Sequence, residues 1–257
     1  MLKKIEAFIF DMDGVFYKGD EKLPGGIEII NHLKTEGIPF VFLTNNSRKT
    51  PTEYILKLKN FGIEIDIEQI ITSGILAKEY LNLFFKNKKL KIFGSDALKE
   101  LFDPKNITQN DDCEVVLIGM EGSLTLDDIS TIRTYANNGK QLVFTNPDRL
   151  IPTENGFNFE CGAMIKLIKK YCKKEAIIVG KPSTFAFEYA IEKLNKNKNK
   201  IAMIGDTYDT DIQGALDIGI TPIHLQTSNN YSHNKNNIKA FEFNNLVDLL
   251  EQYREGQ

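Results

Sequence analysis

Short runs of apolar and β-branched residues alternate along the chain with longer stretches in which apolar and polar residues recur at helical spacing. This alternation is typical of a mainly parallel β-sheet covered by helices. Strands are predicted at Ile5–Phe10, Ile38–Leu43, Lys91–Phe93, Val115–Ile118, Gln141–Phe144, near Ile177, Ile201–Ile204 and Pro222–Leu225. Helices are predicted at Gly25–Glu36, from Pro51 to before Gly62, at Ser73–Phe85, after Thr125, from Ser183 to Leu194, at Thr210–Ile218 and at Asn245–Arg254.

The same pattern divides the chain into three segments. At 257 residues, the chain can hold one large domain or two smaller ones. The stretch from about Ser73 to Ala176 repeats the strand and helix alternation and is predicted to be an α/β unit of its own. A third segment begins near Ile177.

Composition is ordinary for a globular protein, with 42% hydrophobic and 26% charged residues. The formal net charge of -3 is too small to indicate attraction to nucleic acid or to an anionic membrane. The polar segments Asn195–Lys200 and Asn229–Asn237 have no aromatic stacking platform apart from Tyr231, so two surface loops are expected rather than an RNA site. No nucleic-acid or membrane partner is therefore predicted.

The cellular compartment is inferred from two features. The first apolar stretch is interrupted by Glu6 and is too short for a signal-peptide core, and no run approaches the length of a membrane span. Cys113, Cys161 and Cys172 are odd in number and lack metal-ligand spacing, which favours reduced thiols. A cytoplasmic protein is expected.

The most informative polar residues follow the first predicted strand. Asp11 and Asp13 stand two residues apart, directly after Phe10, and Gly14 comes next. Side chains two apart on a strand share a face, and glycine lets the backbone turn, so the pair is expected at the carboxyl edge of the sheet, where open α/β sheets bind ligands. Two carboxylates this close repel each other unless a cation lies between them or one keeps its proton. The pair therefore indicates a divalent cation or a shared-proton acid/base pair.

Three further polar clusters stand at the ends of predicted strands. They are Thr44-Asn45-Asn46-Ser47, Gly180-Lys181-Pro182, and Gly205-Asp206 with Thr210-Asp211. Each one alone would more often be a turn or a helix cap. A parallel sheet would bring all of them to the edge that carries Asp11 and Asp13. That edge would hold four acids, one lysine and several neutral donors, which suits a bound cation together with a phosphate.

These groups meet the demands of phosphoryl transfer. Phosphate-monoester hydrolysis is among the slowest uncatalysed reactions, with enzymatic accelerations reaching ~10²¹, so several charge-neutralising groups must act together. One carboxylate can be the nucleophile and the other the general acid/base. A magnesium ion screens the dianionic substrate from the anionic nucleophile. Lys181 and the donors of Thr44 and Asn45 would hold the phosphoryl oxygens.

Taken together, the four motifs resemble those of haloacid dehalogenase superfamily phosphatases. The similar subgroup, class IIA with a C2 cap, contains the N-acetylglucosamine-catabolism phosphatase, 4-nitrophenylphosphatases and phosphoglycolate phosphatases. The resemblance covers nearly the whole chain and implies a Rossmann-like doubly wound parallel-sheet core with an inserted smaller α/β cap domain. Residues 1–72 and 177–257 would be the catalytic core, and residues 73–176 the cap that selects the substrate. The implied activity is Mg²⁺-dependent hydrolysis of small-molecule phosphate monoesters through a phosphoaspartate.

The resemblance assigns three groups of residues. The catalytic group consists of the nucleophile Asp11, the general acid/base Asp13, and Lys181, the cation that balances the phosphoaspartate. The phosphate- and substrate-binding group consists of Thr44, Asn45, Asn46, Asn146 and Asp148. The metal group consists of Asp11, Asp13 through its backbone carbonyl, Asp206, and Asp211, which would orient water around the metal. One departure is Phe16, where the subgroup usually has a smaller aliphatic residue.

Several alternatives stay open at this point. A phosphomutase would use the same two aspartates, and a non-catalytic phosphate- or Mg²⁺-binding module or a receiver-like domain would use the same sheet edge. The partner expected is a small phosphorylated metabolite: phosphoglycolate, a sugar phosphate, a nucleoside monophosphate or pyridoxal phosphate. A cap surface could pair two subunits in a homodimer.

Overall fold

The computed structural model describes residues 2–119, 125–153, 156–159, 161–227 and 240–256. The strands are β1 (Ala7–Phe10), β2 (Tyr17–Lys18), β3 (Glu21–Lys22), β4 (Phe40–Thr44), β5 (Ile70–Thr72), β6 (Leu90–Phe93), β7 (Val115–Ile118), β8 (Gln141–Phe144), β9 (Leu150–Thr153), β10 (Gly156–Phe159), β11 (Ile177–Ile178), β12 (Ile201–Gly205), β13 (Thr221–Leu225) and β14 (Phe241–Phe243). The α-helices are α1 (Gly26–Thr35), α2 (Pro51–Asn60), α3 (Ser73–Phe84), α4 (Asp96–Lys99), α5 (Leu126–Asn137), α6 (Cys161–Ile168), α7 (Thr184–Leu194), α8 (Gln213–Ile218) and α9 (Leu246–Glu255). The predicted α/β fold class is confirmed.

The chain forms two compact units. The core unit comprises Met1–Thr44, Pro51–Ile71 and Lys181–Gln257, and the inserted unit comprises Asn45–Thr50 and Thr72–Gly180. The inserted unit therefore runs past residue 176, where the sequence pattern placed its end. The physical reason is that β11 pairs with β8 of the inserted unit rather than with a strand of the core sheet.

The core unit is built on one six-stranded sheet with the strand order β14-β13-β12-β1-β4-β5. The central strand β1 runs parallel to both of its neighbours, β12 and β4. From β1 the chain builds outward through β4 and β5, and it later returns to β12 on the other side of β1. This reversal between β1 and β12 is a topological switch point, the place where open α/β sheets bind ligands.

The strands of the core sheet form because their sequences are apolar on both faces. All residues of β1, β4 and β12 are buried, as expected for parallel strands covered by helices. Aromatic rings fill much of one side of the sheet. The ring of Phe16 lies 5.3 Å from that of Phe10 and 5.1 Å from that of Phe42, both in edge-on geometry. The bulky residue that departs from the subgroup pattern is therefore part of the core.

The inserted unit has a four-stranded parallel sheet with the order β11-β8-β7-β6. An antiparallel pair, β9 with β10, completes its strands in the described part of the chain. The predicted start of α5 is confirmed: the Asp128 N–H donates to Thr125 Oγ1 at 3.1 Å, and the Thr125 N–H donates to Asp128 Oδ2 at 2.9 Å. This reciprocal capping box satisfies two N–H groups that the helix leaves without partners.

Several elements differ from the sequence pattern, and β2, β3, β5, β9, β10 and α6 were not predicted. The predicted helix Thr210–Ile218 begins as a π-helical turn, Tyr208–Ile212, before α8. The short strand β14, which pairs in parallel with β13, was not predicted. A three-residue strand carries too little periodicity to be recognised, and its pairing is decided by the sheet.

The polar segment Asn195–Lys200 is mainly exposed, as expected for a surface loop. The second such segment, Asn229–Asn237, lies outside the described residues. None of the helices in the described part of the chain combines the length and the apolar character needed to cross a lipid bilayer.

The buried ring of Phe16 predicts a large contribution to the stability of the core unit. Phe16→Ala should lower the free energy of unfolding by about 3–5 kcal/mol, because it leaves a cavity beside the buried rings of Phe10 and Phe42. The matched control is Leu56→Ala on α2, a side chain that is 57% exposed, with an expected change of about 0.5 kcal/mol or less. Urea unfolding followed by far-UV circular dichroism suits a chain without tryptophan. Equal losses in the two variants would contradict this assignment.

Candidate active site

Asp11 and Asp206 occupy corresponding places on neighbouring strands. Asp11 directly follows β1 and Asp206 directly follows β12, and the N–H of Asp11 donates to Ile204 O at 2.8 Å. Because these parallel strands flank the switch point, both carboxylates lie at its carboxyl edge. The Asp11 side chain is 13% exposed and Asp206 is 6% exposed, so both are largely shielded from water.

Gly14 makes room for Asp206. A Cβ atom on Gly14 would lie 2.1 Å from Asp206 Oδ2, and the φ of Gly14 is +79°, which L side chains rarely adopt. The turn at Gly14 is held by its N–H, which donates to Tyr17 O at 2.7 Å. Thr207 Oγ1 donates to the other carboxylate oxygen of Asp206 at 3.2 Å. The glycine of the first motif is therefore needed both for backbone conformation and for close approach.

Lys181 is the buried cation of the site. Its Nζ lies 2.9 Å from Asp11 Oδ1 and 2.6 Å from Asp211 Oδ1, and its side chain is only 2% exposed. Burial alone would lower the pKa of Lys181, but the two carboxylates raise that pKa above its usual value. Lys181 therefore carries its positive charge at neutral pH.

Asp211 reaches Lys181 because of the π-helical turn. Its side chain is fully buried, and Asp211 Oδ2 accepts the N–H of Thr207 at 3.1 Å. A Cβ atom on Gly205 would lie 2.2 Å from Asp211 Oδ2, so the carboxylate packs against bare backbone at the end of β12. π-helical turns of this kind are often found at functional sites.

One oxygen from each of Asp11, Asp206 and Asp211 lies within 4.8 Å of the others. Three carboxylates with one lysine leave an excess of negative charge in a buried place. Burial raises the pKa of Asp11 to about 6, an effect that Lys181 opposes and Asp211 reinforces. Hard oxygen donors in this number suit Mg²⁺. The donor set therefore fits the metal that the resemblance implies.

Asp13 and Thr44 complete the predicted residues of the core unit. The side chain of Asp13 is exposed and lies outside the carboxylate cluster, so its predicted metal role rests on its backbone carbonyl. Thr44, the last residue of β4, is buried and hydrogen-bonds Tyr54. Burial, with Asp13 nearby, raises the pKa of Tyr54 well above its ordinary value. The sequence analysis did not identify Tyr54, because no motif marks its position in α2.

A second residue that sequence reasoning missed is His224, on β13. This histidine is buried, and its Nε2 lies 3.2 Å from the backbone oxygen of Asp206. Its ring centroid lies 4.2 Å from that of Tyr208, whose hydroxyl donates to Glu242. No motif marks these residues, because their proximity arises from the pairing of β12, β13 and β14.

The remaining predicted residues lie together in the inserted unit. Asn45 Nδ2 donates to Asp148 Oδ2 at 3.1 Å, and Asn146 Nδ2 donates to Asn45 O at 3.0 Å. Asn46 lies in the same segment, where its Oδ1 accepts the N–H of Arg48 at 2.9 Å. Asn146 is fully buried, so in this structure it contacts its own unit rather than offering its amide to a substrate. The predicted substrate roles of these residues stay predictions.

Comparison with known proteins identifies relatives that agree with one another in their described activity. Residues 8–108 match a family model described as haloacid dehalogenase-like hydrolase, and residues 178–250 match a HAD-hydrolase-like model. An acid sugar phosphatase of Staphylococcus epidermidis is 32% identical over 228 residues, which is 88% of each chain. An acid sugar phosphatase of Staphylococcus aureus is 30% identical over 97% of this chain and 98% of that protein. The crystal structure of a 4-nitrophenylphosphatase from Thermotoga maritima superposes with a TM-score of 0.88 at 29% identity, covering 97% of this chain and 98% of that one.

The chain belongs to the haloacid dehalogenase-like hydrolase family. It is an enzyme of the phosphatase group of that family, and the resemblance drawn from the four motifs is confirmed.

The close approach of Asp206 to Gly14 predicts a specific defect in metal binding. Gly14→Ala should weaken the apparent affinity for Mg²⁺ by about tenfold or more, because the new methyl group must displace the Asp206 carboxylate. The matched control is Gly19→Ala, where φ is +58° and no atom lies within 4 Å of the added Cβ. Both variants should lose about 1–2 kcal/mol of stability from backbone strain. Isothermal titration with Mg²⁺ distinguishes them, and unchanged affinity in Gly14→Ala would refute the placement of Asp206.

Proposed function

We propose that this enzyme is a magnesium-dependent phosphatase that hydrolyses small phosphate monoesters through a phosphoaspartyl intermediate on Asp11. The observation that carries the proposal is the buried cluster in which Lys181 Nζ bridges Asp11 and Asp211, beside Asp206. A carboxylate in this setting is poised to attack phosphorus, because it is shielded from water and its charge is balanced from one side.

The metal in this proposal is Mg²⁺, held by carboxylate oxygens of Asp11 and Asp206 and by the backbone carbonyl of Asp13. When bound, it would supply positive charge that reduces repulsion between the substrate phosphate and the anionic nucleophile. Asp211 would lie behind these ligands, where its ion pair with Lys181 keeps it oriented.

The first chemical step is the transfer of the phosphoryl group to the enzyme. An oxygen of Asp11 attacks phosphorus, the bond between phosphorus and the ester oxygen breaks, and Asp13 donates a proton to the departing alkoxide. Lys181 offsets the charge on Asp11 and on the phosphoryl oxygens. Thr44 and the donors of Asn45 and Asn46 are proposed to hold those oxygens.

The second step regenerates the enzyme. Asp13, now deprotonated, takes a proton from water as the water oxygen attacks phosphorus, and the bond between phosphorus and Asp11 breaks. Inorganic phosphate leaves and both aspartates return to their starting states. The same residue thus serves as acid and then as base, which accounts for its place two residues from the nucleophile.

The proposed substrates are small phosphorylated metabolites, with sugar phosphates as the first class to test. Support comes from the staphylococcal relatives, which are acid sugar phosphatases, and from the 4-nitrophenylphosphatase neighbour.

The inserted unit is proposed to act as a cap that selects the substrate and could also pair two subunits. We also propose a cytoplasmic location, because the three cysteines are odd in number and lack metal-ligand spacing, which favours reduced thiols.

The nucleophile is tested by Asp11→Asn. This variant should lower phosphate release from 4-nitrophenyl phosphate by at least roughly 10³-fold, because an amide cannot attack phosphorus. EDTA should abolish the wild-type activity, and added Mg²⁺ should restore it. The control is Asp20→Asn, which alters an exposed carboxylate of the same unit that pairs with Lys57 at 3.5 Å. Full activity in Asp11→Asn would overturn the mechanism, and release that requires a bisphosphate activator would indicate a phosphomutase.

The general acid is tested by the dependence on the leaving group. Asp13→Asn should lower kcat/KM for a sugar phosphate by about 10²–10⁴-fold, because the alkoxide leaves without a proton. The same variant should lower kcat/KM for 4-nitrophenyl phosphate much less, since nitrophenolate needs little protonation. The parameter kcat/KM is the correct one because it does not include hydrolysis of the phosphoenzyme. Equal losses for both esters would show that Asp13 does not protonate the leaving group.

A further inference from the structure

The segment 45–50 follows β4 directly, yet it groups with the inserted unit. We propose that Asn146 is a positioning residue that, with Ser73, fixes the peptide between Asn45 and Asn46 so that the Asn46 N–H is presented to the phosphoryl group. The inference rests on the proposed function, in which Asn45 and Asn46 bind phosphate. It gives the inserted unit a part in phosphate binding as well as in substrate selection.

The first observation is that one backbone carbonyl oxygen accepts two hydrogen bonds from side chains. Asn45 O accepts Asn146 Nδ2 at 3.0 Å and Ser73 Oγ at 2.6 Å, and the side chains of both donors are fully buried. A trans peptide is planar, so fixing the direction of this carbonyl also fixes the direction of the Asn46 N–H on the opposite side of the same plane. Two buried side chains thus determine how one peptide of the segment is oriented.

The second observation is that Asn146 is itself fixed by several hydrogen bonds. Its Nδ2 also donates to Thr145 Oγ1 at 3.2 Å, and its Oδ1 accepts the Asp148 N–H at 2.9 Å. The thiol of Cys161, the first residue of α6, donates to Asn146 O at 3.4 Å. With two donors and one acceptor engaged, the amide has one orientation in which every bond is made. Its position is therefore set by the inserted unit.

The third observation is that the side chain of Asn45 is held from the same direction. Its Nδ2 donates to Asp148 Oδ2 at 3.1 Å, and a Cβ atom on Gly180 would lie 2.6 Å from its Oδ1. Further along the segment, Ser95 Oγ donates to Ser47 O at 3.1 Å. The segment is thus fixed at more than one point by residues of the inserted unit.

The test is Asn146→Asp, which keeps the acceptor for the Asp148 N–H and removes the donor to Asn45 O. We expect the inhibition constant for inorganic phosphate and the KM for 4-nitrophenyl phosphate to rise about tenfold, the effect of losing one buried hydrogen bond that orients the site. The value of kcat should change less, because Asp11, Asp13 and Lys181 are untouched. Binding of inorganic phosphate is measured with saturating Mg²⁺.

The matched control is Gln141→Glu. Gln141 is a buried amide of the same unit that donates to the backbone oxygens of Leu142 at 3.1 Å and Glu175 at 2.8 Å, away from the segment 45–50. It should lower thermal stability as Asn146→Asp does while leaving both constants for phosphate at the wild-type value. If Asn146→Asp also leaves both constants unchanged, Asn146 has only a structural role and the inference is overturned.

If Asn146→Asp does not fold, Ser73→Ala provides the test, since it removes the other donor to the same carbonyl. Its expected effect has the same direction, and unchanged constants in Ser73→Ala would also overturn the inference. Where both variants fold, the double variant should show less than the sum of the two effects, because they share one acceptor. Failure of the proposed function is distinguished by the wild-type enzyme, which would then release no phosphate in the presence of Mg²⁺.

Discussion

The site depends on one buried ion pair network, in which Lys181 Nζ lies 2.9 Å from Asp11 and 2.6 Å from Asp211. Removing one member of a buried ion pair costs about 3–5 kcal/mol, because the remaining charge has neither water nor a partner. The two carboxylates come from the end of β1 and from the π-helical turn after β12. Neither reaches Lys181 until the sheet is assembled, so the electrostatics of the site are tied to the folding of the core unit.

The same network leaves an excess of negative charge, and the backbone is shaped to accommodate it. Gly14 and Gly205 place bare Cα atoms against the carboxylates of Asp206 and Asp211, where a methyl group would lie 2.1 Å and 2.2 Å from an oxygen. Acids packed this tightly need a counter-charge besides Lys181, and a divalent cation is the one that fits their oxygen donors. The glycine turns and the packing of the three carboxylates are therefore parts of one constraint.

The segment 45–50 is joined more closely to the inserted unit than its place directly after β4 suggests. The segment 45–50 is bonded to this unit through Ser73, Asn146 and Asp148. Its donors are thus oriented by side chains that come from distant parts of the insertion.

The sequence by itself determined the features that rest on local physics. Continuous apolar runs predicted the buried parallel strands, the capping box at Thr125 predicted the start of α5, and three of the four polar clusters predicted the residues Asp11, Lys181, Asp206 and Asp211, which the structure brings together. The tertiary structure alone decided the membership of β11 in the inserted sheet, the place of His224 behind Asp206, and the burial of Asn146. These features depend on which strands pair and on contacts between residues far apart in the chain. Such choices minimise the energy of the whole packed unit, so no short stretch of sequence contains enough information to specify them.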